Sequence, residues 1–219
     1  YIGGNDSMDT VYKLSRLFAG EKGAPVFMGV PKTIDNDLPL TDHTPGYGSA
    51  ARYLAITMSE IIQDTAIYNV PAVTIVEIMG RNAGWLTLAA GMPRFTGGMK
   101  PDIIAIPEVP FDEDAFIRQV REGLRHTPNI VAAVSEGLRD KNGDYVGSSA
   151  KSGAVDVFGH AYLSGVGKYL EGLVKRQIGC KVRSIEVNLM QRCSAHLAAG
   201  VDLEEGFALG RSGVEAALR

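Results

Sequence analysis

A short polar loop carries the residue types that could perform chemistry in this chain. Lys32, Asp35 and Asp37 lie close together, directly after the apolar run 25–30, which we predict to be a buried strand. In open α/β sheets, ligands bind beyond the carboxyl ends of the strands. There a carboxylate can take a proton from a hydroxyl group, and an ammonium group can neutralise a phosphate. This arrangement fits phosphoryl transfer, which needs positioning, a base and cations rather than covalent chemistry.

Ordinary structural roles compete with this interpretation. Asp and Asn are common in turns because their side chains bond to nearby backbone, so an Asp-Asn-Asp run taken alone is more often a turn or a helix cap. A second signal lies at the start of the chain. There Gly3 and Gly4 precede a predicted helix at 6–19 and would allow an anion to approach the helix N-terminus. An N-cap at Asn5 or Ser7 is the plainer alternative at that position.

Apolar patterns with strand and helix periods alternate along the chain. Predicted strands cover residues 25–30, 72–78, 103–106, 129–135 and 182–187, and predicted helices cover residues 6–19, 49–68, 82–91, 112–125, 159–177 and 201–218. Asn142-Gly143 predicts a tight turn that closes a hairpin, and residues 148–153 are predicted to form a flexible loop. Strands that alternate with helices predict an α/β fold with a doubly wound, mostly parallel sheet.

Composition argues against several classes of function. The 219 residues are 45% hydrophobic with a formal net charge of −3, so the chain lacks the basic excess expected of a nucleic-acid binder. No apolar run approaches the length of a membrane span. Cys180 and Cys193 lack metal-type spacing and do not form a disulfide framework, so we expect reduced thiols in a cytoplasmic protein. No histidine is assigned to a metal, but His43 is a candidate for positioning the acidic loop.

On these residues the sequence resembles the phosphofructokinase family. The segments that carry the resemblance, in matching order over nearly the whole chain, are Gly3-Gly4-Asn5-Asp6-Ser7, Pro31-Lys32-Thr33-Ile34-Asp35-Asn36-Asp37, Glu77-Ile78-Met79-Gly80-Arg81, Val134-Ser135-Glu136 and Gln191-Arg192. The second segment and the Met-Gly-Arg run are highly specific for the family, and the others support them. The resemblance implies two doubly wound, mostly parallel α/β lobes with an active-site cleft between them. It also implies phosphoryl transfer to the 1-hydroxyl of fructose 6-phosphate.

The same resemblance implies a role for each matching residue. Asp35 matches the general base, and Thr33 and Asp37 match residues that contact the sugar or the transferring group. The implied substrate-binding residues are Met79, Gly80, Arg81, Glu136, Arg183 and Arg192. Among them Glu136 would bond sugar hydroxyls and Arg192 would grip the 6-phosphate. Arg183 would reach into a neighbouring subunit's site, which implies a homo-oligomer, either a dimer or a tetramer. Taken singly, Arg81, Glu136 and Arg183 could each be a solvated surface charge.

Two positions bear on the phosphoryl donor. ATP-using members have glycine where this chain has Asp6 and a small residue where it has Lys32, whereas pyrophosphate-using members resemble this chain. A carboxylate at Asp6 would repel a nucleotide's α-phosphate, and an ammonium at Lys32 would compensate the charge of pyrophosphate. Pyrophosphate is therefore favoured over ATP. The implied donor site comprises Gly3, Gly4, Asn5, Asp6, Ser7 and Lys32.

The implied cofactor is Mg²⁺, with Asn5, Asp6 and Asp35 as its ligands. The family commonly has Asp where this chain has Asn5, so Asp6 or Asp35 would carry more of the metal binding. Leu189 replaces a histidine that bonds the sugar in many bacterial members, and Ala72 replaces an arginine that approaches the neighbouring subunit in some. Two alternatives stay open: an ATP-dependent kinase of this family, and a non-catalytic regulatory subunit that binds sugar phosphate.

The resemblance also divides the chain into lobes. Residues 1–46 plus 191–219 would form a partial phosphate-donor lobe, and residues 47–190 would form the lobe that binds sugar phosphate. Closure of the cleft would exclude water and protect the phosphoryl group from hydrolysis. The chain starts without Met, ends inside a predicted helix and lacks the family's first glycine-rich loop. We therefore interpret it as a fragment, with a natural protein that starts differently as the alternative.

Overall fold

The computed structural model describes residues 1–147 and 165–219. The strands are β1 (Ile2–Gly3), β2 (Val30–Pro31), β3 (Ala72–Ile78), β4 (Ile103–Ala105), β5 (Asn129–Ser135) and β6 (Lys181–Glu186). The α-helices are α1 (Asn5–Leu17), α2 (Tyr47–Ala66), α3 (Trp85–Ala89), α4 (Glu113–Gly123), α5 (Val166–Gln177), α6 (Met190–Cys193) and α7 (Gly200–Ala217). Short 3₁₀ helices at Met92–Thr96 and Ala195–Leu197 complete the described elements.

The strands form two parallel sheets. The larger sheet has the order β4-β5-β3-β6, so β3 and β5 are its central strands. Both are buried along almost their whole length, as expected for parallel strands covered on both faces. In the smaller sheet, β1 pairs with β2 through Ile2 opposite Val30 and Gly3 opposite Pro31.

Helices cover both faces of the larger sheet because side chains alternate along its strands. On one face, Val73 and Ile75 of β3 pack into a cluster with apolar residues of α4 and α5. On the other face, Val76 and Ile78 pack against the apolar stripes of α2 and α3, which include Leu54. The helices on both faces and the parallel strands confirm the α/β, doubly wound prediction.

Most predicted elements are present, but the prediction of a strand at residues 25–30 is wrong. Of the run 25–30, only Val30 belongs to a strand, and the Val26 side chain is exposed. The ladder is this short because β1, the partner strand in the described residues, has only two residues. In the predicted helix 159–177, α5 begins at Val166, and residues 159–164 lie outside the described residues. The predicted loop at 148–153 lies outside them as well.

The hairpin predicted from Asn142-Gly143 is confirmed. Arg139 forms an antiparallel bridge with Tyr145, and Gly143 adopts a φ of 86°, which a glycine accommodates without strain. Within the described ranges, no helix is both long enough and apolar enough to cross a membrane.

Candidate active site

A cavity of about 860 Å³ opens at the carboxyl ends of the parallel strands. The first residue after β2, β3 and β5 lines it in each case: Lys32, Met79 and Glu136. The complete lining is Lys32, Thr33, Ile34, Asp35, Pro45, Gly46, Glu77, Ile78, Met79, Arg81, Glu136, Glu186, Asn188, Gln191 and Arg192. This is the edge of the sheet at which ligands bind in doubly wound folds.

The acidic loop after β2 is held in shape by two residues that flank Asp35. Thr44 Oγ1 donates to the carbonyl oxygen of Thr33 at 2.8 Å, and the Thr44 N–H donates to Asn36 Oδ1 at 2.9 Å. Asn36 has a φ of 54°, a left-handed conformation that Asn tolerates better than most residues. These contacts fix the backbone on both sides of Asp35, whose own N–H donates to Thr33 Oγ1 at 3.2 Å.

The charges around Asp35 oppose one another. Burial and the neighbouring Asp37 carboxylate raise the pKa of Asp35, while Arg81, Lys32 and Arg192 act to lower it. Burial and like charge outweigh the three cations, so Asp35 holds a proton more tightly than an ordinary aspartate does. A carboxylate of this kind, beside cationic groups, can accept a proton from a hydroxyl group while an anionic substrate is bound.

Glu136 faces the same cavity from the end of β5. Its Oε1 accepts a hydrogen bond from the Gly80 N–H at 3.2 Å, and its own N–H donates to the Ile78 carbonyl at 2.9 Å. Burial raises the pKa of Glu136 to about 7, with a further contribution from the Asp35 and Glu77 carboxylates. Near neutral pH this side chain can therefore either donate or accept a hydrogen bond to a sugar hydroxyl.

Two glycines allow the loop that carries Arg81 to pack closely. Gly80 has a φ of 135°, and a Cβ atom there would lie 2.5 Å from the Ala83 carbonyl oxygen. A Cβ atom at Gly137 would lie 2.0 Å from the Arg81 carbonyl oxygen. Ser135 Oγ donates to the Gly80 carbonyl at 2.5 Å and completes the contact. The backbone of Arg81 is thus fixed between the ends of β3 and β5.

Gln191 and Arg192 enter the site from the short helix α6. The Gln191 side chain is buried, accepts from the Met79 N–H at 3.2 Å and donates to the Asn188 carbonyl at 2.9 Å. It therefore ties α6 to the end of β3 and sets where Arg192 enters the cavity. Gln191 was not among the predicted site residues, although it forms part of the Gln-Arg run by which the family is recognised.

Two further carboxylates were missed by sequence reasoning. Glu77 and Glu186 are partners in the β3–β6 register, and both line the cavity. Glu77 is buried and accepts from the N–H groups of Gly165 at 3.1 Å and Gly167 at 2.7 Å, at the start of α5. The signal for Glu77 was a single charged residue within a mostly apolar strand, whereas Glu186 ends a strand that carries other charged residues and gave no such signal.

Of the predicted donor residues, Lys32 lines the cavity, whereas the five residues from Gly3 to Ser7 lie beside the acidic loop and outside the lining. The Lys32 N–H donates to the Gly3 carbonyl at 2.9 Å, and Asn5 Nδ2 donates to the Asp37 carbonyl at 3.3 Å. The β1–α1 turn and the acidic loop are therefore adjacent. Asp37 does not line the cavity either, although its charge acts on Asp35.

At the start of α1, the glycine backbone leaves room for a ligand to come close, and no side chain caps the helix. Its N-cap is Gly4, without a side-chain hydrogen bond, so the alternative of a cap at Asn5 or Ser7 is wrong. A Cβ atom at Gly3 would lie 2.2 Å from Ser7 Oγ, so only glycine fits there. Asp6 lies in the first turn of the helix, where its charge is favourable to the helix dipole.

Arg183, a predicted substrate-binding residue, lies outside the cavity lined by Lys32, Arg81 and Arg192. It sits within β6, 3.6 Å from Asp64 Oδ2, with its guanidinium 5.5 Å from the centre of the Tyr68 ring. Leu189, the residue in the histidine position, is about half exposed and does not line the cavity.

The fold and the cavity together define a doubly wound α/β protein with carboxylates and cationic groups in one cleft. The family model described as Phosphofructokinase matches residues 1–203, and the chain belongs to that family. This confirms the family prediction. Enzymes of the family are phosphotransferases that generally need a divalent metal ion.

Individual relatives agree with this assignment. The chain is 43% identical over 222 residues to a pyrophosphate–fructose 6-phosphate 1-phosphotransferase of Xanthomonas campestris and 39% identical to one of Methylococcus capsulatus. In both cases the match covers 100% of this chain and 52% of the relative. A crystal structure of a pyrophosphate-dependent phosphofructokinase from Marinobacter aquaeolei superposes with a TM-score of 0.78 at 33% identity, and the match covers 100% of this chain and 51% of that one. The chain thus spans about half the length of these relatives.

Proposed function

We propose that this chain carries the acidic loop and sugar-binding residues of a pyrophosphate-dependent fructose 6-phosphate 1-phosphotransferase. The observation that carries the proposal is the cavity in which Asp35 meets Lys32, Arg81 and Arg192 at the carboxyl ends of the strands. The named activity of relatives at 39–43% identity supports the same substrates.

In this proposal Asp35 is the general base. It takes the proton of the sugar 1-hydroxyl while the bond from that oxygen to phosphorus forms and the bond from phosphorus to the leaving phosphate breaks. Its raised pKa makes it a better proton acceptor than an ordinary aspartate. Thr33 and Asp37 contact the sugar or the transferring group, and Thr33 also supports the Asp35 backbone.

The sugar phosphate lies against the other side of the cavity. Met79, Gly80 and Arg81 hold it, Glu136 bonds its hydroxyls and Arg192 binds the 6-phosphate, because a guanidinium can bond two phosphate oxygens at once. This assignment gives a role to every cationic side chain of the cavity lining except Lys32.

The phosphoryl donor is assigned to the adjacent β1–α1 turn. Gly3, Gly4, Asn5, Asp6 and Ser7 stand at the start of α1, where free N–H groups favour anions. Lys32 then neutralises charge on the leaving phosphate. The carboxylate of Asp6 disfavours a nucleotide, so pyrophosphate is the proposed donor and ATP the alternative.

Mg²⁺ is the proposed metal, and the available donor atoms are oxygens, which it prefers. Asp35 and Asp6 offer carboxylates, and Asn5 offers its side-chain oxygen because its amide nitrogen already donates to the Asp37 carbonyl. When bound, the ion would neutralise charge on the transferring phosphoryl group.

The wider assembly belongs to the same proposal. Residues 1–46 plus 191–219 and residues 47–190 are the two lobes, and each contains one of the two sheets. Arg183 serves the site of a neighbouring subunit in a homo-oligomer of a cytoplasmic enzyme. Its exposed fraction of about one third leaves it accessible to such a neighbour.

Initial rates of fructose 1,6-bisphosphate formation by the full-length protein that contains this chain test the proposal, with pyrophosphate and ATP supplied separately and Mg²⁺ in both. We expect turnover with pyrophosphate, and a loss of about 10²-fold or more in Asp35→Asn with sugar phosphate binding retained. Asp114→Asn, an exposed acid in the first turn of α4, is the matched control. Turnover with ATP alone would transfer the assignment to the ATP-dependent kinase. Sugar phosphate binding without turnover would favour the regulatory subunit.

A further inference from the structure

A partly buried contact joins the acidic loop to helix α7. His43 Nδ1 lies 2.6 Å from Glu205 Oε2, and His43 Nε2 lies 3.4 Å from Asp202 Oδ1. Both acids belong to α7, and the Asp202 side chain is only 6% exposed. The imidazole therefore lies between two carboxylates of the same helix.

Asp202 also accepts hydrogen bonds from Ser49 at the start of α2. Its Oδ2 accepts from the N–H and the hydroxyl of Ser49, both at 2.5 Å, in the first turn of α2. Ser49 Oγ in turn accepts from the Ala199 N–H at 3.0 Å. Burial acts to raise the pKa of Asp202, but these hydrogen bonds and the His43 ring lower it overall. Asp202 is thus held as a carboxylate beside the His43 ring.

The contact continues directly to the residues around Asp35. Thr44, which follows His43 in the chain, bonds to the Thr33 carbonyl and to the Asn36 side chain. Displacement of His43 from α7 would therefore release the two contacts that fix the loop on each side of Asp35.

A metal ion is the competing explanation, because one ligand atom from each of His43, Asp202 and Glu205 can be chosen within 4.8 Å of the others. The two acids, however, face opposite nitrogens of the ring. One ion could not be bound by the imidazole and both carboxylates without a rearrangement of the ring. The geometry fits a bridge in which the ring is hydrogen-bonded to Glu205 and lies 3.4 Å from Asp202 Oδ1 without a hydrogen bond, better than it fits one metal ion bound by all three side chains.

We propose that His43 is a positioning residue, which holds the acidic loop against α7 and thereby sets the position of Asp35. This inference rests on the proposed function, because it gives Asp35 the role of base. It concerns the transition state more than sugar binding, since Arg81, Glu136 and Arg192 hold the sugar phosphate from outside the acidic loop. Besides the base itself, only Thr33 and Asp37 of that loop are placed at the sugar or the transferring group. Loss of the bridge should lower kcat by about tenfold or more while KM for fructose 6-phosphate changes by less than about twofold.

The kinetic test compares His43→Ala, Glu205→Gln and the double variant with wild type. The matched control is His126→Ala, which removes an exposed histidine 3.2 Å from Glu122 on α4, away from the cavity. We expect His43→Ala and Glu205→Gln to lower kcat, the double variant to lose little more than His43→Ala, and His126→Ala to match wild type. A kcat for His43→Ala equal to that of His126→Ala would overturn the proposal.

Hydrogen exchange at the Thr44 amide gives a second readout that does not depend on activity. We expect His43→Ala and Glu205→Gln to exchange this amide faster than wild type and His126→Ala. Unchanged exchange would overturn the bridge itself, and faster exchange with unchanged kcat would overturn its link to Asp35.

If His43→Ala fails to fold, Glu205→Gln carries both measurements. If wild type shows no turnover with either donor, the proposed function fails, whereas exchange still decides whether the bridge holds the loop. If addition of EDTA to wild type made the Thr44 amide exchange faster, the side chains of His43, Asp202 and Glu205 would be assigned to a metal ion.

Discussion

The substitution Glu136→Gln measures the free-energy cost of ionising a carboxyl group inside the cavity. The fold raises the pKa of Glu136 from 4.5 to about 7, mainly by burial. At roughly 1.4 kcal/mol for each pKa unit, this difference corresponds to about 3 kcal/mol of destabilisation when the group is ionised. Glutamine keeps the size of the side chain and an oxygen that can accept from the Gly80 N–H, but it cannot ionise.

The sign of the effect follows from proton linkage. Between pH 4.5 and about 7 the folded state binds more protons at Glu136 than the unfolded state, so this group lowers stability progressively as the pH rises. Below that window glutamate and glutamine should be nearly equivalent. Above it the Glu136→Gln variant should be more stable than wild type by about 3 kcal/mol.

Urea denaturation measured at about pH 4.5 and about pH 8 tests this prediction. Glu60→Gln, a change at an exposed carboxylate on α2, is the matched control and should show no such divergence. A constant difference between Glu136→Gln and wild type across the two conditions would refute the reasoning. It would mean that water or the cavity's cations solvate the carboxylate as well as bulk water does.

Four further substitutions test the acidic loop and the loop that carries Arg81. Because Arg81 lowers and Asp37 raises the pKa of Asp35, Arg81→Ala should move the acid limb of the kcat/KM profile to higher pH and Asp37→Asn should move it to lower pH. Asn36→Ala should reduce the free energy of unfolding by about 2 kcal/mol, because it loses side-chain hydrogen bonds and places Ala in a left-handed conformation. Gly80→Ala should raise KM for fructose 6-phosphate by about tenfold, since its Cβ atom would displace the loop.

Each of these changes has a matched comparison. If the acid limb of the kcat/KM profile moved in the same direction in Arg81→Ala and in Asp37→Asn, the proposed balance of charges around Asp35 would be contradicted. Asn36→Gly keeps the backbone freedom and loses only the hydrogen bonds, so it should be more stable than Asn36→Ala by about 1 kcal/mol. Gly97 also has a positive φ, of 80°, but a Cβ atom there would meet open space. Gly97→Ala should therefore leave KM for fructose 6-phosphate unchanged.

Asp35, Arg81 and Glu136 are predicted site residues that all line the cavity. Asp35 was predicted from a polar loop after an apolar run, and Arg81 and Glu136 were implied by the resemblance to the family. Parallel strands bring their carboxyl ends to one edge of the sheet, so residues distant in the chain meet there. Gln191 and Gly137 were missed because their importance depends on what lies opposite them. A buried amide and a glycine acquire meaning only when the backbone they contact is known.

The alternation of strands and helices and the family could be predicted from the amino-acid sequence, because periodicity and short motifs are local properties. It also overestimated the strand at 25–30, since strand formation requires a partner that the local pattern cannot supply. The charge balance at Asp35, the pKa of Glu136 near 7 and the position of His43 between Asp202 and Glu205 could be established from the folded structure alone. Each of these depends on burial and on groups distant in the chain, and both are set by how the two sheets and α7 pack together.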